Sequence, residues 1–107
     1  MEKVLEPLKE IKELQKLVVE WADQKGLIKP ENAYSQFMKM VEELGELGGA
    51  IIKRNIENEI EEFGDVLVTV IVLAEQRNID LKLALNLAYR KIKDRKGKMV
   101  DGSFIKE

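Results

Sequence analysis

The sequence predicts an all-α fold with a four-helix core. Apolar residues recur at three- and four-residue steps in four successive stretches, and glycine, proline, asparagine or aspartate stands between the stretches. The chain has 107 residues, of which 45% are hydrophobic and 36% charged, which suits one globular domain over residues 1–107. No repeat, linker or low-complexity segment divides it.

The first helix is predicted over residues 4–24. Pro7 fits its first turn, where a missing N–H is tolerated, and Gly26 is expected to end it. A single face of this helix carries apolar residues at helical spacing, and we expect this face to pack inward: Leu8, Ile11, Leu14, Val18 and Trp21.

The second helix is predicted over residues 33–54, with Asn32 as its N-terminal cap. It contains three glycines, each of which costs about 1 kcal/mol relative to alanine inside a helix. The glycines therefore suggest the close approach of a neighbouring helix. A break of the helix at Gly48-Gly49 is the alternative. The three glycines are Gly45, Gly48 and Gly49.

The third helix is predicted over residues 57–77. Its middle, residues 66–74, reads VLVTVIVLA, and the β-branched residues also suit a buried strand. A helix is favoured because no turn signal separates this run from the acidic stretch before it, and strands of about 20 residues are rare. A helix that is apolar on almost every side needs more cover than three short helices give. We therefore expect an oligomer.

The fourth helix is predicted over residues 81–96, capped by Asp80 and ended by Gly97. After it, Asp101-Gly102 is a turn signal. The inward face of this helix is expected to hold Leu81, Leu85, Ala88 and Ile92.

Acidic residues are concentrated between residues 42 and 65, which hold eight acidic and two basic side chains. Residues three apart lie together on a helix, so Glu43 pairs with Glu46, and Glu62 with Asp65. Turn signals between the pairs indicate that the two helices fold back on each other. Four carboxylates would then converge among apolar neighbours, at a cost unless a cation compensates their charge.

A hard divalent cation is the compensation that this chemistry favours. The chain has no histidine and no cysteine, which excludes thiol chemistry, most zinc sites and the Glu-x-x-His di-iron bundle. Oxygen ligands alone suit Mg²⁺, and Mn²⁺ would be tolerated. A lone Glu-x-x-Glu is usually a solvated face, but two such pairs on successive helices are a stronger signal.

The pattern Glu42-Glu43-x-x-Glu46 followed by Glu62-x-x-Asp65 resembles the signature of MazG-like nucleotide pyrophosphohydrolases. The local sequences EELGEL and EEFGDVL are close to that family's usual form, and the tail resembles its short, single-domain members. The resemblance covers residues 36–107, with looser similarity before them. The motif is shared with all-α dimeric dUTPases, dCTP pyrophosphatases and phosphoribosyl-ATP pyrophosphohydrolases, so it identifies the chemistry better than the substrate.

The resemblance implies a MazG-like four-helix core that assembles as a homodimer or homotetramer. It implies Mg²⁺-dependent hydrolysis of a nucleoside triphosphate to the monophosphate and pyrophosphate, in a role of clearing unwanted nucleotides. By position, the metal ligands are Glu43, Glu46, Glu62 and Asp65. Glu42 matches a preceding acidic position that either assists the attacking water or supports the ligands.

Four further residues are candidates for binding substrate, each with a plainer alternative. Lys39 lies one turn before Glu43, so it either meets a phosphate or forms an ion pair with Glu43. Lys91 and Arg95 match a basic pair that family members direct at phosphates, or they form a solvated helix end. Trp21 either stacks on a base or packs in the core.

Two other functions remain open. One is a non-catalytic helical module that binds a nucleotide or a protein. The other is a nucleic-acid binder using residues 90–106, which hold seven basic and two acidic side chains; the acidic middle of the chain disfavours it. No signal peptide or membrane span is evident, so we expect a cytoplasmic protein with no membrane or nucleic-acid partner.

Overall fold

The structure, a computed structural model, describes residues 7–107 and contains four α-helices. A single 3₁₀ turn, Pro30–Asn32, leads into the second helix. The chain ends in two short antiparallel strands, β1 (Gly97–Val100) and β2 (Ser103–Lys106). The four predicted helices are confirmed and with them the all-α class, and the short terminal hairpin is an addition that the sequence did not predict. The helices are α1 (Ile11–Gln24), α2 (Ala33–Lys53), α3 (Ile56–Gln76) and α4 (Leu81–Ile92).

The first helix begins later than its apolar pattern predicts. Residues 7–10 are not helical, so placing Pro7 in the first turn is wrong, and the predicted start at residue 4 lies outside the described residues. The inward face of α1 is also displaced: Ala22 is fully buried, whereas Trp21 is 47% exposed. The rotation places Trp21 at the edge of the helix pair rather than in its core.

Side-chain caps start the third and fourth helices. The Asn55 side chain accepts a hydrogen bond from the backbone N–H of Asn58 at 3.2 Å and so caps the start of α3. Asp80 accepts from the amides of Lys82 and Leu83, which confirms it as the cap of α4. Asn32 precedes α2 but makes no side-chain cap hydrogen bond, so its predicted capping role is wrong; its backbone is already helical, and its Nδ2 donates to the Leu27 carbonyl.

The helices α2 and α3 form the centre of the fold. Arg54, in the left-handed conformation, and Asn55 are the whole connection between them, so the two helices run antiparallel side by side. The helix α1 packs on α3. The helical reading of the run between residues 66 and 74 is thereby confirmed, and the strand alternative is wrong. The fully or nearly buried apolar residues are few and mostly small: Ala22, Ala50, Val72 and Ala74.

Much apolar surface on α3 and α4 stays uncovered in the single chain. On α3, Phe63 and Leu67 are more than half exposed, which agrees with the expectation that the other helices of one chain give this helix too little cover. On α4, Leu85 and Ile92 of the predicted inward face are also exposed, because α4 packs only weakly on the other helices. The oligomer that this pattern suggests stays a prediction.

The glycines of α2 have no close neighbour on any other element within residues 7–107. The helix continues through Gly48-Gly49, so the predicted alternative of a break there is wrong. A Cβ built on Gly45, Gly48 or Gly49 would meet no other atom within 4 Å. The neighbouring helix that these glycines predict is therefore none of the helices that residues 7–107 form.

The fourth helix ends at Ile92, four residues earlier than predicted, and Gly97 begins a strand. Asp101 and Gly102 both have positive φ angles, which is the backbone of a tight two-residue hairpin turn. The turn signal at these residues is therefore confirmed. Within residues 7–107, no helix combines the length and apolarity needed to cross a bilayer.

Candidate active site

Three carboxylates converge where α2 and α3 lie side by side. One oxygen from each of Glu43, Glu62 and Asp65 lies within 4.8 Å of the others. The antiparallel pairing places Glu43 opposite Glu62, and the three-residue step places Asp65 on the same face of α3 as Glu62. The convergence of the two acidic pairs, predicted from their spacing, therefore occurs for these three side chains.

Two oxygens of this cluster lack hydrogen-bond donors among the described residues. Glu43 is only 8% exposed, and its Oε2 is buried without a partner. The Oε2 of Glu62 is buried without a partner as well. A buried charged oxygen normally has a compensating donor or cation, so these two atoms indicate a missing positive ligand.

Burial raises the pKa of Glu62, and the charges of Glu46, Asp65 and Glu43 raise it further. Both causes disfavour the ionised carboxyl group, the first through lost hydration and the second through repulsion. The site is therefore electrostatically strained when no cation is bound.

The remaining predicted ligand, Glu46, lies at the margin of this cluster. Its side chain is exposed, and its oxygens are not within the 4.8 Å group, although its charge affects the pKa of Glu62. Glu42 is also outside the group: its side chain is 65% exposed and pairs with Lys39 at 3.8 Å. The carboxylate of Glu42 therefore lies in solvent rather than beside the three convergent oxygens.

Lys39 forms the ion pair that the sequence offered as one of its two roles. Its Nζ lies 3.4 Å from Oε1 of Glu43. The hydrogen bond and charge of Glu43 raise the pKa of Lys39, and the charge of Glu42 adds to this effect. Lys39 thus partly compensates Glu43, but it leaves the buried Oε2 without a partner.

A cavity of about 410 Å³ opens beside the carboxylates. Trp21 and Lys39 line it together with Glu43 and Asp65, so the structure brings these four predicted residues into one place. The sequence analysis missed the rest of the lining, which consists of Leu27, Gln36, Val68, Thr69 and Val72.

Helical spacing could have found two of the missed residues. Gln36 precedes Glu43 by two turns, and Thr69 follows Asp65 by one, so each extends an acidic face already identified. The Gln36 Nε2 donates to the Thr69 carbonyl at 3.3 Å and links α2 to α3 across the cavity. Because that carbonyl can only accept, the bond also orients the Gln36 amide.

The predicted basic pair on the last helix is not at the site in a single chain. Lys91 and Arg95 are exposed, and among residues 7–107 neither forms an ion pair with the carboxylates. Arg95 also lies beyond Ile92, where α4 ends, so its predicted position on the helix is wrong. The reason is that α4 packs only weakly on α2 and α3, so it does not carry these side chains to the carboxylates.

The donor set fits a divalent cation with oxygen ligands. It contains three carboxylates, of which two retain a buried oxygen with no other partner. The chain has no cysteine thiolate and no imidazole, which are the usual ligands of softer metals such as zinc. Mg²⁺ binds carboxylates of this kind and completes its shell with water and phosphate oxygens.

Comparisons with known proteins agree with this architecture. The crystal structure of the Bacillus-conserved MazG protein, a nucleotide pyrophosphohydrolase, matches with a TM-score of 0.69 and 31% sequence identity. The match covers 85% of this chain and 97% of that one.

A curated relative is an uncharacterised 18.2 kDa protein in the rep-hol intergenic region of Haemophilus phage HP1, 31% identical over 71 residues. The alignment covers 66% of this chain and 44% of the phage protein, so the chain spans less than half of that relative's length. The family model described as the MazG nucleotide pyrophosphohydrolase domain matches residues 32–100. This match includes α2, α3, α4 and all three convergent carboxylates. The chain therefore belongs to the MazG nucleotide pyrophosphohydrolase family.

Proposed function

We propose that the chain is a Mg²⁺-dependent nucleoside triphosphate pyrophosphohydrolase that releases the monophosphate and pyrophosphate. The observation that carries this proposal is the convergence of Glu43, Glu62 and Asp65 beside a cavity, with two buried oxygens left without partners. Family membership supplies the reaction class, and the strained carboxylates supply a reason for the cation.

Glu43, Glu62 and Asp65 would hold the divalent ion, and Glu46, whose charge acts on Glu62, is the candidate for a fourth ligand. When bound, Mg²⁺ would neutralise phosphate charge and lower the pKa of a nearby water; Mn²⁺ has similar oxygen chemistry. The cation would in turn compensate the negative charge of these three carboxylates. Glu42, exposed and next to Glu43 in the chain, stays the candidate for assisting the attacking water or for supporting the ligands.

The cavity beside the carboxylates is the proposed place for the nucleoside. Trp21, half exposed at its edge, offers a flat apolar surface on which a base can stack. The amide of Gln36, oriented by Thr69, offers hydrogen bonds at the same wall. Lys39 lies between this wall and the carboxylates, where it can meet a phosphate.

The proposed assembly is a homodimer or homotetramer. The radius of gyration is 16.4 Å, against about 13 Å expected for a compact chain of this length. The accessible surface is 9237 Å², against roughly 6,100 Å² expected for a monomer of 12.3 kDa. Uncovered apolar residues on α3 and α4 account for this shape, and a second copy is the partner that buries them. Lys91 and Arg95 would then contact phosphates only if assembly brings α4 to a site.

The test is pyrophosphate release from a panel of ribo- and deoxyribonucleoside triphosphates, with and without Mg²⁺. We expect metal-dependent release from one or a few members. Glu62→Gln should abolish it, whereas Glu61→Gln, a change at the adjacent exposed residue outside the cluster, should leave it intact. Equal turnover in the two variants would contradict the site. Nucleotide binding without release by the folded wild type would favour the non-catalytic module.

A further inference from the structure

We propose that Lys39 is an internal counter-ion of the metal site, which pairs with Glu43 when the site is metal-free and with Glu42 when a cation is bound. This inference rests on the proposed function, because it requires a cation at Glu43. It assigns the Glu42-Glu43 doublet a joint role: Glu43 binds the cation, and Glu42 receives the lysine that the cation displaces.

The charge on Glu43 needs compensation inside the fold. This side chain is nearly buried and belongs to the cluster of three carboxylates. In the described part of the chain, the ammonium of Lys39 is the cationic group within ion-pair distance of it, at 3.4 Å. Without a bound metal, Lys39 is therefore the compensation that the chain itself provides for Glu43.

Lys39 and a bound cation compete for the carboxylate of Glu43. A divalent ion held by Glu43 takes over the negative charge that attracts the ammonium, and like charges at such distances repel. Lys39 is 57% exposed, so its ammonium can move into water without breaking a packed contact. Metal binding should therefore displace it, and metal affinity should be lower than the three carboxylates alone would give.

Glu42 is the acceptor to which the displaced Lys39 moves. Its Nζ already lies 3.8 Å from Oε2 of Glu42, which is exposed and is not one of the three convergent carboxylates. Residues 39, 42 and 43 share one turn of α2, so both acceptors are within reach of one lysine side chain. The exchange therefore needs side-chain rotation only, and no movement of the helix.

The proposal predicts a distinctive pattern in metal affinity measured without nucleotide. Mn²⁺ suits the same oxygen ligands, and electron paramagnetic resonance reports its free concentration. Lys39→Met should tighten Mn²⁺ binding about two- to fivefold, the range that a partly exposed ion pair gives. Glu42→Gln should weaken binding by a similar factor in the wild-type background, because the displaced lysine loses its acceptor.

The double variant separates this exchange from general electrostatics. In the Lys39→Met background, Glu42→Gln should have much less effect, because no lysine remains to be received. If Glu42 acted only through its distant charge, its replacement would weaken binding equally in both backgrounds. Lys53→Met is the matched control for charge: it lies on the same helix, about 21 Å away, beyond the screening length of about 8 Å.

Each result has a defined meaning. Tighter binding by Lys39→Met, no change with Lys53→Met and non-additivity with Glu42→Gln support the exchange. Equal Mn²⁺ affinity of the wild type and Lys39→Met would overturn the role of Lys39 without contradicting the cation site. Additive effects in the double variant would do the same. Absence of Mn²⁺ binding in every variant, with circular dichroism showing folded helices, overturns the cation assignment and this inference together.

Discussion

Glu43 of α2 and Glu62 of α3 face each other across the helix pair, and each retains a buried Oε2 with no hydrogen-bond donor among the described residues. The contact is repulsive in the metal-free protein, because two carboxylates share one small volume. The fold therefore loses stability at this point, and the residues that strain it are those proposed to bind the cation.

The first prediction concerns stability without metal. Glu62→Gln should raise the melting temperature in the presence of a chelator, because the neutral amide removes one charge from the cluster and can donate to Glu43. In saturating Mg²⁺ the order should reverse, since the wild type gains more from the ion than the variant does. Differential scanning calorimetry in both conditions measures this.

Glu61→Gln is the matched control, one residue away on an exposed part of α3. It should leave the melting temperature unchanged in either condition. A chelator-treated Glu62→Gln protein that melts below Glu61→Gln would show that the carboxylates are held by contacts we have not identified.

The second prediction concerns pH. The pKa of Glu62 is raised in the folded protein, so the native state binds its proton more tightly than the unfolded state does. By linkage, the free energy of unfolding falls as pH rises from the ordinary pKa of a glutamate to the raised value, and it stays lower above that value. Urea unfolding of the metal-free protein at a series of pH values measures this slope.

The difference between wild type and Glu62→Gln isolates the effect from the other acidic groups. The wild type should lose stability relative to the variant across the window between the two pKa values. Parallel curves for the two proteins would contradict the shift, and saturating Mg²⁺ should remove the difference in slope by favouring the ionised carboxylate.

The sequence predicted the helices and the acidic centre because both depend on local spacing. The predicted cap of α4 depends on residues a turn or less away, and the meeting of Glu43 with Glu62 needs only a tight turn between two helices. The register of α1 was predicted less well: Trp21 belongs to its apolar stripe in the sequence, yet Ala22 is the residue buried against α3. Rotation of a helix about its axis depends on its partner, which spacing alone does not specify.

The terminal segment was mispredicted for a related reason. Residues 93–96 continue a helical composition, but α4 ends at Ile92 without a helix to pack against. Gly97 then starts a strand in which a Cβ would collide with the Ile105 carbonyl and the Phe104 ring. A glycine that the sequence offered as a helix stop is thus required by close strand pairing instead.

The third prediction concerns Trp21 and the cavity. Trp21→Ala should raise KM for the preferred nucleotide by about tenfold, because stacking of a base on an aromatic side chain contributes roughly 1–3 kcal/mol. Trp21→Phe keeps an aromatic face and should remain within a few-fold of wild type. Steady-state kinetics at saturating Mg²⁺ measures both.

The split between KM and kcat distinguishes stacking from a purely structural role. Loss of packing would lower the melting temperature and the fraction of active protein, so that kcat falls for every substrate. A Trp21→Ala variant with unchanged KM and reduced kcat would therefore assign this residue to the core rather than to the nucleotide.

The last prediction uses the open glycines of α2 to test the oligomer. Gly45, Gly48 and Gly49 share a face with Ile52, which is 82% exposed, and a Cβ added at any of the three would meet no other element of the described chain within 4 Å. In a monomer, Gly48→Ala should stabilise α2 by about 1 kcal/mol. If a second copy packs closely on this face, the added methyl should instead separate the copies and lower the assembly state. We expect the second outcome, measured by sedimentation velocity over a range of concentrations.

Ser35→Ala, an exposed change on the same helix, is the control and should leave assembly unaltered. A stabilised Gly48→Ala protein with unchanged assembly would place the interface elsewhere. The next face to test would then be α4, with its exposed Leu85.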